Sequence, residues 1–184
     1  MGKVSLTTTQ SKILQIIASE PFFPRTFYLT GGTALSAFYY HHRESEDIDL
    51  FTPKPYDQAF VRAWMNTQKK KHGWQLTYTQ VFERQTYEIR WRDHHGKIDF
   101  VEYNFQQLER PVHTYQEISV DSKGDIATNK LLTISQRTAV KDFVDLYFLL
   151  QKDFSLWDLM HSTERKFGIE IEKVYLSSLL MKVE

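Results

Sequence analysis

The sequence predicts an α+β fold, a strand-rich part followed by a helical one. Three observations carry this. Short apolar runs with strand character, bounded by Gly, Pro, Asp or His, crowd residues 27–103. From about residue 125 the apolar residues recur at helical spacing instead. Between the two regions Pro111 breaks the chain, and one extended piece near Ile118–Val120 leads into the helices.

Taken in order, Ser11–Ser19 carries Ile13, Leu14, Ile16 and Ile17 at helical spacing, with Thr8 or Thr9 as cap. Pro21-Phe22-Phe23-Pro24 ends that helix. Phe27–Leu29 reads as a strand, and Gly31-Gly32 opens a helix over Thr33–Tyr40. Asp47–Thr52 is the second strand, stopped by Pro53 and Pro55. Asp57–His72 is a helix closed by Gly73. Trp74–Val81, Thr86–Arg92 and Lys97–Tyr103 are strands, the last two joined by a hairpin at Asp93-His94-His95-Gly96. Asp125–Ile134, Ala139–Leu150, Ser155–Phe167 and Glu170–Leu180 are helices. This divides the chain into a core over residues 1–115 and a helical part over 116–184, packed on the core as one compact unit.

Composition narrows the function. A length of 184 residues suits one domain, and 41% hydrophobic residues suffice for a substantial core. No apolar run approaches the ~20 residues that span a bilayer. Met1–Ser5 has no apolar signal core after its lysine. The expectation is a cytoplasmic protein without a membrane partner. The absence of cysteine excludes disulfides, thiolate metal sites and thiol nucleophiles. A net charge of zero counts against a large nucleic-acid footprint. Arg62–Lys71 nevertheless holds Arg62, Lys69, Lys70 and Lys71 without an acid, either a local basic edge or a solvated helix end whose lysines suit the negative pole of the dipole.

The chemistry centres on aspartates. Alternation along a strand puts Asp47 and Asp49 on one face, ~7 Å apart, with Ile48 and Leu50 on the other. Lys97-Ile98-Asp99-Phe100-Val101 is another apolar strand with an embedded acid. An acid buried in a strand costs several kcal/mol unless it is paired or binds metal. Three acids brought together would hold Mg²⁺ or Mn²⁺; the competing reading leaves each at a strand end facing water. Gly31-Gly32-Thr33 supplies close backbone approach at a helix start, as phosphate binding requires, although it matches neither a Walker loop nor a dinucleotide fingerprint. Carboxylates opposite a glycine turn suit a metal beside a triphosphate, and so nucleotidyl transfer.

Lys130 and Arg137, roughly two helical turns apart, could neutralise the triphosphate or be ordinary surface residues. Asp142 and Asp145 share one face of an apolar helix and would hold Arg43, Lys130 or Arg137. The competing account is a surface pair of Lys141 with Asp145. The pairs His41-His42 and His94-His95 lack zinc-ligand spacing.

Gly31-Gly32-Thr33-Ala34-Leu35, then Tyr39-Tyr40-His41-His42-Arg43-x-Ser45-x-Asp47-Ile48-Asp49-Leu50-Phe51, resembles the AbiEii/AbiGii nucleotidyltransferase toxin family of the DNA polymerase β-like superfamily. Asn129-Lys130-Leu131-Leu132, Arg137 and Lys141-Asp142-x-x-Asp145-Leu146-Tyr147 resemble its C-terminal motifs. The resemblance covers residues 27–150. It implies the nucleotidyltransferase fold, a mixed β-sheet flanked by helices. It also implies a bacterial, Mg-dependent enzyme that moves an NMP from an NTP to RNA, tRNA above all, or to a protein acceptor. Members occur in type IV toxin–antitoxin and abortive-infection systems, so an antitoxin encoded nearby is an expected partner. Under this resemblance Asp47 and Asp49 hold the metal, and Asp99 holds a second ion or orients the attacking oxygen. Gly31, Gly32 and Thr33 bind the β- and γ-phosphates. Lys130 and Arg137 contact the nucleotide, Arg43 contacts it or braces its loop, and Asp142 positions Lys130 or serves the acceptor side. Two other classes remain: a non-catalytic nucleotide-binding module and a two-metal nuclease.

Overall fold

The computed structural model describes residues 6–181; Met1–Ser5, read above for export, lies outside them. Seven strands form one mixed sheet: β1 (Tyr28–Thr30), β2 (Asp47–Thr52), β3 (Gln75–Val81), β4 (Arg84–Trp91), β5 (His94–Glu102), β6 (His113–Tyr115) and β7 (Ile118–Val120). Their order is β3-β4-β5-β2-β1-β7-β6. β2 runs parallel to β5 and β1 parallel to β7, while the remaining neighbours are antiparallel. The sheet thus continues past residue 115, since β7 pairs with β1.

One face of the sheet is apolar. Leu29, Ile48, Leu50, Tyr87, Ile89, Ile98 and Phe100 are buried there. Helices α1 (Thr8–Ala18), α2 (Phe22–Thr26) and α4 (Gln58–His72) supply the matching layer. Its centre is aromatic: Phe23 meets Phe100 at 5.4 Å and Trp64 at 4.5 Å, and Phe27 meets Phe100 at 5.3 Å between ring centroids. Rings of this size dominate core energetics. Lys69, Lys70 and Lys71 are exposed in the last turn of α4, before Gly73 in the left-handed conformation; this is the solvated helix end. The helical part comprises α5 (Lys123–Gln136), α6 (Val140–Lys152), α7 (Leu156–Phe167) and α8 (Lys173–Leu180), with α5 packed against the other three.

Several elements depart from the reading of the sequence. α1 is capped by Thr7, one residue earlier than expected, in a reciprocal box with Gln10. Pro21-Phe22-Phe23-Pro24 does not merely end a helix. It starts α2, because Pro24 falls in a first turn where no intrahelical N–H is needed. The helix expected over Thr33–Tyr40 begins at Gly31 as α3 (Gly31–Leu35), then widens into a π-helix over Ser36–Tyr40, closed by His41 N–H to Ser36 O at 2.8 Å. The β4–β5 hairpin turns at Arg92-Asp93, not at Asp93–Gly96. Gly96 lies inside β5, where its missing side chain makes room for Ile13 of α1. Strand β6 was not foreseen: its hairpin turns through Gln116 and Glu117 at φ 50° and 67°, residues that carry little turn signal.

The α1–β5 seam is testable. A Cβ on Gly96 would stand 2.6 Å from Ile13 Cδ1. Gly96→Leu is expected to cost about 1–3 kcal/mol through overpacking, seen as a lower urea midpoint by circular dichroism. An unchanged midpoint would show that α1 does not pack here.

Candidate active site

The acids come together through register. In β2 the side chains of Ile48 and Leu50 go to the apolar face, so Asp47 and Asp49 take the other. β5 lies parallel beside β2 with Asp49 opposite Asp99 and Asp47 opposite Lys97. Asp99 is therefore on the same face as Asp47 and Asp49. Asp99 is 1% exposed and fully engaged. Thr86 Oγ1 donates to its Oδ1, while Lys97 Nζ and Arg84 Nη1 lie 3.2 Å and 3.3 Å from its Oδ2. Asp47 Oδ2 lies 3.4 Å from Lys141 Nζ and 3.7 Å from Lys97 Nζ. Asp49, between them, makes no salt bridge among the described residues. Its burial, then the charge of Asp99, pushes its pKa up to about 6; Asp47 adds to the rise, and Arg84 and Lys130 oppose it.

The glycine turn is shaped around these side chains. Gly31 has φ +73°, and a Cβ there would collide with Asp49 Oδ2. A Cβ on Gly32 would collide with Arg43 Nη2 and press on Ser45 Oγ. The Thr33 hydroxyl donates to Asp47 O and accepts from Gln10 Nε2 at 3.3 Å. It is 1% exposed and holds the start of β2, so what the turn offers a ligand is backbone N–H at a helix start.

Beside the acids, α5 and the residue that caps it carry basic side chains, held by carboxylates of α6. Lys130 Nζ lies 2.7 Å from both Asp142 Oδ1 and Asp145 Oδ2. Arg137 reaches Asp142 Oδ2 at 3.0 Å through Nε and Nη2. Arg43 grips Asp145 with two parallel bonds of 2.7 Å, and His42 Nε2 lies 2.7 Å from the same carboxylate. Asp142 and Asp145 are wholly buried. Burial pushes the Asp145 pKa up, but hydrogen bonds from His42 and Arg43 and the Lys130 charge outweigh it and hold the group far below the usual carboxylate range. Further buried pairs tie β1 to the end of β7 and α5 to α7. Thr30 Oγ1 donates to Asp121 Oδ2 at 2.7 Å, and Asp125 pairs with Lys166 at 2.5 Å.

The site residues predicted from sequence therefore fall into two banks. Asp47, Asp49 and Asp99 stand on the sheet beside Gly31 and Gly32. Arg43, Lys130, Arg137 and Asp142 form the clamp beside them. The surface pair of Lys141 with Asp145 does not exist: Asp145 is buried by Arg43, His42 and Lys130, and Lys141 reaches Asp47 instead. The reading of the sequence gave Lys97, Arg84, Thr86 and His42 no part in the site. Lys97 was detectable, because it lies two residues before Asp99 and so on its face. Arg84 and Thr86 depend on the β4–β5 register, which no local signal reports.

The donor set of Asp47, Asp49 and Asp99 is oxygen-only and suits a hard divalent cation, and among the described residues Asp49 is engaged in no salt bridge. Among the described residues no three acidic or histidine side chains close around one point. The Lys97 ammonium stands between Asp47 and Asp99.

A family profile described as the nucleotidyl transferase AbiEii toxin of a type IV toxin–antitoxin system matches residues 12–176. The chain belongs to this family. A protein of Aquifex aeolicus is 35% identical to this AbiEii-family chain over 137 residues, 72% of the chain and 61% of the relative. The chain thus spans less than two thirds of that relative's length. Among solved structures, Helicobacter pylori JHP933 superposes with a TM-score of 0.60 at 16% identity, over 97% of this chain and 95% of that one. The nucleotidyltransferase toxin MenT4 of Mycobacterium tuberculosis superposes with a TM-score of 0.56 at 14% identity, over 84% of this chain and 60% of that one. These likenesses show a shared fold, the mixed sheet with flanking helices. Among the described residues no helix is long and apolar enough to cross a membrane.

Two outcomes follow for the metal-free protein. Folded Asp49 keeps its proton up to about pH 6, whereas the unfolded chain releases it near 3.8. The folded state therefore binds more protons between these values, and the Asp49 contribution to stability grows as pH falls from 7 towards 4. Asp49→Asn is expected to raise the melting temperature above pH 7, by up to ~3 kcal/mol of stability, with the gain shrinking on acidification. Thermal melts of both proteins from pH 8 to pH 4 measure this; a gain independent of pH refutes it. Asp145→Ala, which strands buried cations, is expected to cost about 3–5 kcal/mol in chemical denaturation.

Proposed function

We propose that this chain transfers a nucleotidyl group from an NTP to a hydroxyl of an RNA acceptor, tRNA first among them, or of a protein. We assign it to the cytoplasm, as the toxin of a type IV toxin–antitoxin pair whose antitoxin is encoded nearby. The observation that carries the reading is the register that sets three aspartates on one sheet face beside a glycine turn, with a lysine–arginine clamp on the neighbouring helices. Within this reading residues 1–115 and 116–184 act as one unit, because the clamp on α5 and α6 completes a site begun on the sheet.

The acceptor hydroxyl oxygen attacks the α-phosphorus in line and gives up its proton to solvent. The bond to the β-phosphate breaks, and pyrophosphate leaves with that electron pair. Asp47 and Asp49 would hold a magnesium ion, which supplies Lewis acidity at the α-phosphate. Asp99 would hold a second ion together with Asp47, or orient the attacking oxygen. Gly31 and Gly32 let backbone N–H groups approach the terminal phosphates, with Thr33 fixing the turn against β2. Lys130 has three donors. Two are taken by Asp142 and Asp145, and the third serves a phosphate oxygen as charge develops there. Its charge favours the ionised form of Asp49. Arg137, over half exposed, meets the outer phosphates while Asp142 holds it and Lys130 in place. Arg43 braces the loop behind Gly32.

The test is incubation with each α-labelled NTP, Mg²⁺ and total RNA or protein, with pyrophosphate release followed in parallel. Label transfer supports the reading. RNA cleavage without NTP would indicate a nuclease, and NTP binding without pyrophosphate a non-catalytic module. Mg²⁺ with NTP is expected to raise the melting temperature, and Asp47→Asn to abolish that rise while folding normally. Lys130→Ala is expected to lower turnover by two or more orders of magnitude, from ~3–4 kcal/mol of lost transition-state stabilisation, with a smaller loss of nucleotide affinity. Equal affinity and turnover in wild type and variant would refute its role.

A further inference from the structure

We propose that Lys97 is a resident counter-ion of the acid cluster, one that keeps free divalent metal out until nucleotide arrives. The inference rests on the nucleotidyl-transfer reading and adds an order of binding to it. Lys97 is set in mid-strand, opposite Asp47 of β2 and Glu88 of β4. Its backbone is fixed by ladders on both sides. Its side chain emerges on the face of the acids, and its ammonium serves both outer carboxylates, 3.2 Å from Asp99 Oδ2 and 3.7 Å from Asp47 Oδ2. A divalent ion bound by those carboxylates needs oxygens at ~2.0–2.6 Å, in the volume the ammonium holds. The two occupants exclude each other.

The side chain can leave: it is 31% exposed, on a flexible four-carbon stem. Leaving alone is unfavourable, since the ammonium gives up two anionic partners. A triphosphate against the glycine turn changes this balance by offering phosphate oxygens to the displaced ammonium. Metal entry is therefore penalised without nucleotide and relieved with it, and by linkage each strengthens the other. Lys141 is the natural contrast. It touches Asp47 alone, from the first turn of α6, and is 53% exposed.

The experiment measures Mn²⁺ binding to the full chain by calorimetry and by electron paramagnetic resonance, with and without a non-hydrolysable NTP analogue. Wild type is expected to bind Mn²⁺ weakly alone and about tenfold or more tighter with the analogue, within the usual range of coupling. Lys97→Met is expected to tighten nucleotide-free Mn²⁺ binding by about tenfold and to flatten the coupling. Lys141→Met should gain less and keep the coupling. Lys97→Gln repeats the test with a polar side chain, and circular dichroism verifies the fold of each variant. Equal gains from Lys97→Met and Lys141→Met would reduce the effect to general charge and overturn the proposal. So would full coupling in Lys97→Met, and that result leaves the parent reading standing provided Asp49→Asn abolishes Mn²⁺ binding. Undiminished Mn²⁺ binding in Asp49→Asn overturns both.

Discussion

The carboxylate of Asp145 is the interaction on which the rest depends. It is fully buried and receives His42 Nε2, Arg43 Nε and Nη2, and Lys130 Nζ, each at 2.7 Å. Its two oxygens have about four acceptor sites, and all are filled. A buried ion cluster of this kind contributes little net stability over an apolar core, but losing one member is costly. Its value here is positional. The loop after the π-helix, distant in sequence, is held in one arrangement with the middle of α5 and the body of α6 by a single group. Arg43, so fixed, backs onto Gly32, and Lys130, so fixed, brings its charge to bear on Asp49.

The cations of the site are all paired. Asp99 and Asp47 hold Lys97, Arg84 and Lys141, whereas Asp142 and Asp145 hold Lys130, Arg137 and Arg43. Asp49 stands outside both sets. A polyanion entering this space would meet cations already held by carboxylates rather than a bare basic patch, which is how a chain of zero net charge can still address phosphates. The carboxylates keep the basic side chains ordered before any ligand binds, lowering the reorganisation that binding demands.

Much of this was legible in sequence where chemistry and periodicity coincide. Asp-Ile-Asp alternation gave the face of Asp47 and Asp49, and Asp142 and Asp145, three apart in an apolar helix, gave the inner clamp. An acid embedded in each of two apolar strands suggests that Asp99 joins them, but the register that sets it opposite Asp49 is not readable, since parallel pairing between distant strands leaves no local mark. Gly96 misled because glycine serves both turns and close packing, and only the approach of Ile13 separates the two. Lys141 misled for a related reason. An i, i+4 partner is the default for a helical lysine, and tertiary contacts gave Asp145 better donors. Lys97 was overlooked because a lysine next to an acid in a strand looks like a solvated edge.

The π-helix at Ser36–Tyr40 has a consequence for how this chain can vary. A π turn holds one residue more than an α turn, so it amounts to an insertion absorbed without breaking the helix. Loss of one residue from Ser36–Tyr40 would let α3 continue as ordinary α-helix, a locally favourable change that leaves the direction of the following chain nearly unaltered, because the wider turn had taken up the extra residue. A second loss has no such outlet and would turn the following chain by about 100° about the helix axis. His42 and Arg43 would then project away from α6, and Asp145 would be left buried without them. Sequence length between Gly32 and Arg43 thus has slack for a single deletion before a contact made more than a hundred residues later comes apart.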